Sequence, residues 1–302
     1  MQRILDYTAF CKTVTSVVND LTDPKTIVKT KDIVKNNNTI LQGLIFSCDS
    51  SMISPTIYLN SFYEEYESGR SIEAICTDII GLYDRSQISS IPDMERFLDF
   101  DRIRDSICYK LINTKSNIST LETIPHIPFL DLSIVFICYL EVSGDKSGSV
   151  LISNEHMNLW HTDVKELYRT ACANTGRIFE PRIFKMSEMI NDLVGKDNAM
   201  PDPGYPMYIL TNTKKTFGAS CMLYPDAIAD AAKLIGDDLF IIPSSIHELI
   251  LVPKKHSPKP CELNRTIREV NKTAVADNEY LSDHCYYYSA KKERIFINAP
   301  EE

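Results

Sequence analysis

The chain has 302 residues, 44% of them hydrophobic, which suffices for a real core and, on length, for about two domains. Its 41 acidic and 32 basic residues leave a net charge of −9, so no nucleic-acid partner is expected, since such binding needs basic surface to neutralise phosphates. The opening MQRILDYTAF lacks a basic segment followed by an apolar one, and the longest apolar run, Ile134 to Leu140, is far short of the ~20 residues of a membrane span, so neither a signal peptide nor a membrane role is expected.

Ile4, Tyr7, Cys11, Val14, Val18 and Leu21 alternate steps of three and four and predict an amphipathic first helix, ended by Asp23-Pro24. Thr26 to Lys35 and Thr39 to Cys48 read as a hairpin around Asn36-Asn37-Asn38, because asparagine tolerates positive φ. A short aromatic helix is expected over Tyr58 to Tyr66, stopped by Gly69. Ser71 caps the next helix, which carries Ile72, Ile75, Ile79 and Leu82. The serine-rich Ser86 to Pro92 reads as a linker.

Asp93 to Asn113 is expected to be helical, with Phe100, Ile103, Ile107 and Leu111 facing in. Its charges Asp99, Asp101, Arg102, Arg104 and Asp105 are of mixed sign and read as an ion-paired, solvated face rather than a metal site. Pro125 to Pro128 forms a rigid entry, Phe129 to Glu141 a long strand, and Ser149 to Ser153 its return. Gly144 to Gly148 lacks the Gly-Lys-Ser/Thr ending of a phosphate loop. A helical region follows around Trp160. The next helix, opened by Thr162, buries Val164, Leu167, Tyr168, Ala171 and Cys172 and ends at Asn174-Thr175-Gly176. Arg177 to Lys185 reads as a strand, Ser187 to Val194 as a short helix, and Lys196 to Tyr205 as a second linker.

Pro206 to Pro253 is the clearest supersecondary unit. Met207 to Leu210 and Phe217 to Leu223 read as paired strands, with Gly218 marking a bulge or a close backbone approach. A helix opened by Pro225-Asp226 places Ile228, Ala231, Ala232 and Ile235 on one face and stops at Gly236. Leu239 to Ile242 and Leu249 to Val252 are two further strands. A helix over Cys261 to Thr273 and a terminal hairpin of Cys285 to Tyr288 with Arg294 to Asn298 complete the chain. The expected fold class is α+β: antiparallel sheets with helices on one face, in two or three sequential segments, residues 1–90, 91–198 and 199–302, the last two packed together.

The densest polar cluster, Ser244-Ser245-Ile246-His247-Glu248, joins two apolar strands at the rim of a sheet, a good position for a site. In an extended chain Ser245 and His247 would share a face and Glu248 would point away, so a catalytic triad would need an acid from elsewhere. The plainer reading gives both serines to the turn backbone and His247 to a neighbouring carbonyl. No G-x-S-x-G elbow and no zinc spacing among His126, His156, His161, His247, His256 and His284 is present, so neither metal nor cofactor is expected. The nine cysteines, with no C-x-x-C pair, read as buried reduced thiols of a cytosolic protein, Cys221 and Cys261 included. The tyrosines of Tyr58 to Tyr66 and Tyr286 to Tyr288 offer either interface surface or a core lining with hydroxyls at the rim.

Several stretches resemble one family: SPTIYLNSFYEEYESG (Ser54–Gly69), KLIN (Lys110–Asn113), PHIPFLDLSIVF (Pro125–Phe136), NEHMNLW (Asn154–Trp160), MYILTN (Met207–Asn212), FGASCMLYP (Phe217–Pro225), PSSIHELILVP (Pro243–Pro253) and LSDHCYYY (Leu281–Tyr288). Nearly end to end the chain is similar to the uncharacterised clostridial family called domain of unknown function 5688. Its middle and C-terminal parts more weakly resemble another uncharacterised Gram-positive family. The resemblance implies a soluble bacterial cytoplasmic protein and brings no activity with it. The expected function is therefore non-enzymatic binding of a protein partner. The alternative is a small-molecule hydrolase or transferase using Ser245, His247 and Glu248.

Overall fold

The computed structural model describes residues 4–48, 56–87, 94–141, 147–188 and 205–297. The chain divides into two compact units, residues 1–99 with 140–148 and residues 100–139 with 149–302. Most of both linker-like stretches, residues 88–92 and 196–204, lies outside the described residues, as do residues 189–194 of the expected short helix.

In the first unit, helix α1 (Tyr7–Leu21) starts where the Asp6 carboxylate accepts the Ala9 N–H at 2.8 Å. Strands β1 (Thr26–Val34) and β2 (Ile40–Cys48) pair antiparallel from Thr26↔Cys48 to Val34↔Ile40. Asn37 (φ 60°) and Asn38 (φ 55°) make the reversal, as their side chains permit. Strand β3 (Thr56–Tyr58) adds to β2. Helices α2 (Asn60–Glu67) and α3 (Ile72–Gln87) follow, with α4 (Met94–Phe97) beyond them. The core takes Phe10, Val14 and Val18 from α1, Leu44 and Phe46 from β2, and Ile75, Ile79 and Tyr83 from α3. Leu82, expected inward, is exposed; Tyr83 takes its place and stacks on Phe46.

The second unit holds two sheets. Helix α5 (Phe100–Ile103) leads into strand β4 (Ile107–Asn113), where a helix was expected. Every residue of β4 except Lys110 is buried, and it pairs antiparallel with β6 (Leu132–Glu141) along its length. A strand covered on both faces is a continuous apolar run, and its spacing can imitate a helical stripe. Helix α6 (Ile118–Leu121) precedes β5 (His126–Phe129), the segment expected to be a rigid entry. Pro128 is tolerated there because β5 is an edge strand of the order β4-β6-β5. Strand β7 (Ser147–Leu151) also lies on β6.

Helices α7 (Asn154–Trp160) and α8 (Val164–Ile178) follow. The cap of α8 is Asp163 rather than Thr162, and the helix runs past Gly176 because Asn174 and Thr175 are buried partners of the β4 segment. Asn174 Nδ2 donates to the Arg104 and Ile107 carbonyls, and Thr175 Oγ1 accepts the Tyr109 N–H at 3.1 Å.

The second sheet has six strands in the order β13-β12-β10-β11-β9-β8: β8 (Pro181–Lys185), β9 (Tyr208–Asn212), β10 (Leu239–Ser245), β11 (Glu248–Pro253), β12 (Tyr286–Ser289) and β13 (Arg294–Phe296). Their pairings are antiparallel. Helices α9 (Ala227–Ile235) and α10 (Pro260–Thr273) complete the unit. Leu263 and Ile267 of α10 pack on the sheet face formed by Phe240, Val252 and Tyr287. The alternate residues Leu239, Ile241, Leu249 and Leu251 are also buried, so the sheet is covered on both faces. The whole is a mixed α+β fold with antiparallel sheets and helices on their faces.

Phe217 to Leu223, expected as a strand beside β9, instead enters a 3-10 helix over Gly218–Leu223. Both edges of β9 are taken, by β8 and β11, and Phe217 sits in the left-handed region. Ala219 to Met222 are buried in succession rather than alternately, which no half-buried strand allows.

Candidate functional site

The Ser244 to Glu248 stretch turns out to be a hairpin with a two-residue loop, Ile246-His247, between Ser245 and its partner Glu248. It is therefore not extended through His247. Neither loop residue has positive φ, so the loop is not one of the primed turns that match strand twist. The register shift at Ser244 absorbs the difference as a β-bulge, and the freed Ser244 hydroxyl donates to Glu248 Oε1 at 3.1 Å.

His247 is fixed from several directions. Its Nδ1 accepts the Phe217 N–H at 3.2 Å, which places the ring proton of the neutral form on Nε2. Nε2 faces Glu279 Oε1 at 3.6 Å. The ring stacks on Phe217 with centroids 5.9 Å apart, and the Lys110 ammonium lies 4.8 Å over the other ring. Burial lowers the His247 pKa; the Glu279 carboxylate opposes this and Lys110 reinforces it, so the ring is neutral at pH 7. Thr211 Oγ1 donates to the His247 carbonyl at 2.8 Å, and Ser245 Oγ accepts the His247 backbone N–H at 3.0 Å. Gly218 permits all of this. A Cβ there would lie 2.2 Å from the His247 carbonyl oxygen and 2.3 Å from Thr211 Oγ1. The close backbone approach expected of this glycine is present, though not in a strand.

A cleft of ≈ 260 Å³ opens beside the turn. Ile209 and Phe184 form its apolar wall, while Thr211, Lys215, Glu188, His247 and Glu248 supply polar groups. The structure thus brings His247 and Glu248 to one cavity and ties Ser245 to the turn backbone. Sequence reasoning missed Phe217 and Glu279 as partners of His247, and Lys215 and Phe184 as walls. They come from distant stretches with no shared spacing, so only the folded sheet assembles them.

The other candidates resolve into structure. His156 completes a capping box on α7 with Ser153, and His161 takes the left-handed cap position behind it. Arg104 pairs with Glu166 at 2.6 Å. Of the eight cysteines whose side chains are described, Cys172 and Cys261 are exposed, and neither is thus the packing residue expected. Burial pushes the Cys221 thiol up to about 12, and its Sγ donates to the Thr211 carbonyl at 3.2 Å. Tyr286, Tyr287 and Tyr288 are buried in the sheet, and Tyr63 and Tyr66 pack on Phe10 with their hydroxyls bonded to the Leu5 backbone. These tyrosines line cores. Among the described residues no group of His, Cys, Asp and Glu could hold a metal ion, and no helix is long and apolar enough to cross a membrane.

The model of one family matches residues 7–290. The chain belongs to DUF5688, a family of unknown function. No curated protein and no solved structure matches it. The DUF5688 match spans β4, the 3-10 helix, the Ile246-His247 turn and Glu279, so the elements that build the cleft all lie within it.

Proposed function

We propose that this DUF5688 protein is a non-enzymatic binding protein of the bacterial cytoplasm, and that the cleft beside His247 is where it binds. The carrying observation is the wiring of His247. A serine nucleophile needs a nearby imidazole nitrogen with a free lone pair. Nδ1 already accepts the Phe217 amide, and Nε2 bears the proton that faces Glu279. The ring is thereby fixed as part of the cleft wall, suited to shaping a binding site rather than moving a proton. A concave site with an apolar wall and a few polar groups favours a small molecule over a flat protein interface. Buried thiols with raised pKa suit a reducing compartment.

The second reading, a hydrolase or transferase using Ser245, His247 and Glu248, draws on Glu279, an acid from elsewhere that a triad would require. A fluorophosphonate probe separates the two. The binding reading expects no labelling of the wild-type protein and, in ligand-observed NMR, saturable binding that weakens when Phe184→Ala removes the half-exposed apolar wall of the cleft. Stoichiometric labelling of Ser245, abolished in a folded His247→Ala variant, would replace it with the enzymatic one.

A further inference from the structure

The cleft carries charges of both signs on an apolar wall, and this restricts what fits it. At ≈ 260 Å³ it lies just under the roughly 300–1,000 Å³ of drug-sized sites, so its occupant is small. Ile209 is almost fully buried, and Phe184 is 43% exposed, so one wall offers apolar surface to a ligand. Lys215 brings an ammonium from the left-handed corner between β9 and the 3-10 helix. Glu248 brings a carboxylate, held by the Ser244 hydroxyl, and Glu188 a second one, 3.8 Å from Lys185.

A ligand with only a cationic group would leave Lys215 facing a like charge. A ligand with only an anionic group would do the same to Glu248 and Glu188. A neutral apolar ligand would strip water from all three with nothing in return. A small zwitterion with an apolar side chain meets each condition: its carboxylate toward Lys215, its ammonium toward Glu248, its side chain on Ile209 and Phe184. The neutral His247 ring adds no third charge to this balance.

We infer that the cleft is a site for a free, apolar amino acid, recognised by the opposed charges of Lys215 and Glu248. The inference rests on the binding reading above and names its ligand class.

The test is calorimetric titration of the full chain with four matched probes: leucine, isoamylamine, isocaproate and N-acetyl-leucinamide. Leucine should bind, and the singly charged and neutral probes should bind at least about tenfold more weakly, about 1.4 kcal/mol. Lys215→Gln and Glu248→Gln, both on partly solvated side chains, should each weaken leucine about fivefold, while their thermal unfolding stays like the wild type's. Equal binding of isoamylamine or isocaproate overturns the zwitterion assignment and leaves the binding reading standing. Leucine binding unaffected by both variants overturns the placement in this cleft. If none of the four binds and an NMR fragment screen leaves the cleft residues unshifted, both the inference and the binding reading fall.

Discussion

Two histidines of the second unit respond to pH in opposite senses, and their environments say why. Burial lowers the His247 pKa, with Glu279 opposing and Lys110 reinforcing. The folded state then binds fewer protons than the unfolded chain, whose histidine titrates near 6.5, so this contribution to stability is present above that value and is lost as the pH falls below it. His284 is the reverse. Asp131 raises its pKa most, at 3.6 Å from Nε2, and Asp283 adds to this while burial opposes; Tyr286 also hydrogen-bonds Asp131 Oδ1 at 2.8 Å. Its contribution is full below about 6.5 and is lost as the pH rises through the raised folded value. Urea midpoints from pH 5 to 8 should therefore fall less on acidification in His247→Gln than in the wild type, and fall less on alkalinisation in His284→Gln. Identical pH profiles for all three proteins would refute both assignments. Of this scale the sequence shows His247 as a rim residue beside two serines. It hides the amide that claims Nδ1, because Phe217 lies thirty positions away and reaches the ring only through its left-handed backbone.

At the scale of elements, legibility follows how each segment is buried. Helix α1, the β1–β2 hairpin, α9 and α10 each have one wet face, and their apolar spacing or asparagine turn reads directly. Strand β4 and the 3-10 helix at Gly218 are buried nearly all round, so their apolar residues follow no wet-and-dry alternation and can imitate the pattern of another element. That 3-10 helix holds the His247 turn in place: Ala219 N–H donates to the Ile246 carbonyl at 3.2 Å, beside the position where Gly218 has no room for a side chain. Gly218→Ala should then destabilise the protein by about 2–3 kcal/mol, since the obstructing atoms include backbone, and should weaken ligand binding at the cleft. A Gly218→Ala variant with an unchanged denaturation midpoint would show that the turn and the 3-10 helix yield easily.

For the whole molecule, the α+β class was readable from alternating strand and helix signals, and the quoted motifs carried the family resemblance. The linker-like composition of Ser86 to Pro92 and Lys196 to Tyr205 leads to a concrete expectation. Limited proteolysis of the native chain should cut first within one of these two stretches, where proline, serine and polar residues concentrate. Mass spectrometry of the first fragments decides it. Early cleavage within Leu132 to Glu141 would contradict the strand placement there.

Strand β12 joins the six-stranded sheet late in the order of synthesis. It pairs with β10 at Leu239↔Tyr288, and its Tyr286 hydroxyl reaches Asp131 across 155 positions. Asn113 Nδ2 reaches still further, to the Leu281 carbonyl. A nascent chain leaving the ribosome therefore carries β10 with one edge unpaired for the few seconds that about fifty more residues take to emerge. During that interval Phe240 and Ile241 lie on a strand with an open edge, the kind of surface on which a holding chaperone acts. The first unit, whose strands and helices all precede residue 100 apart from a short return, is under no such delay.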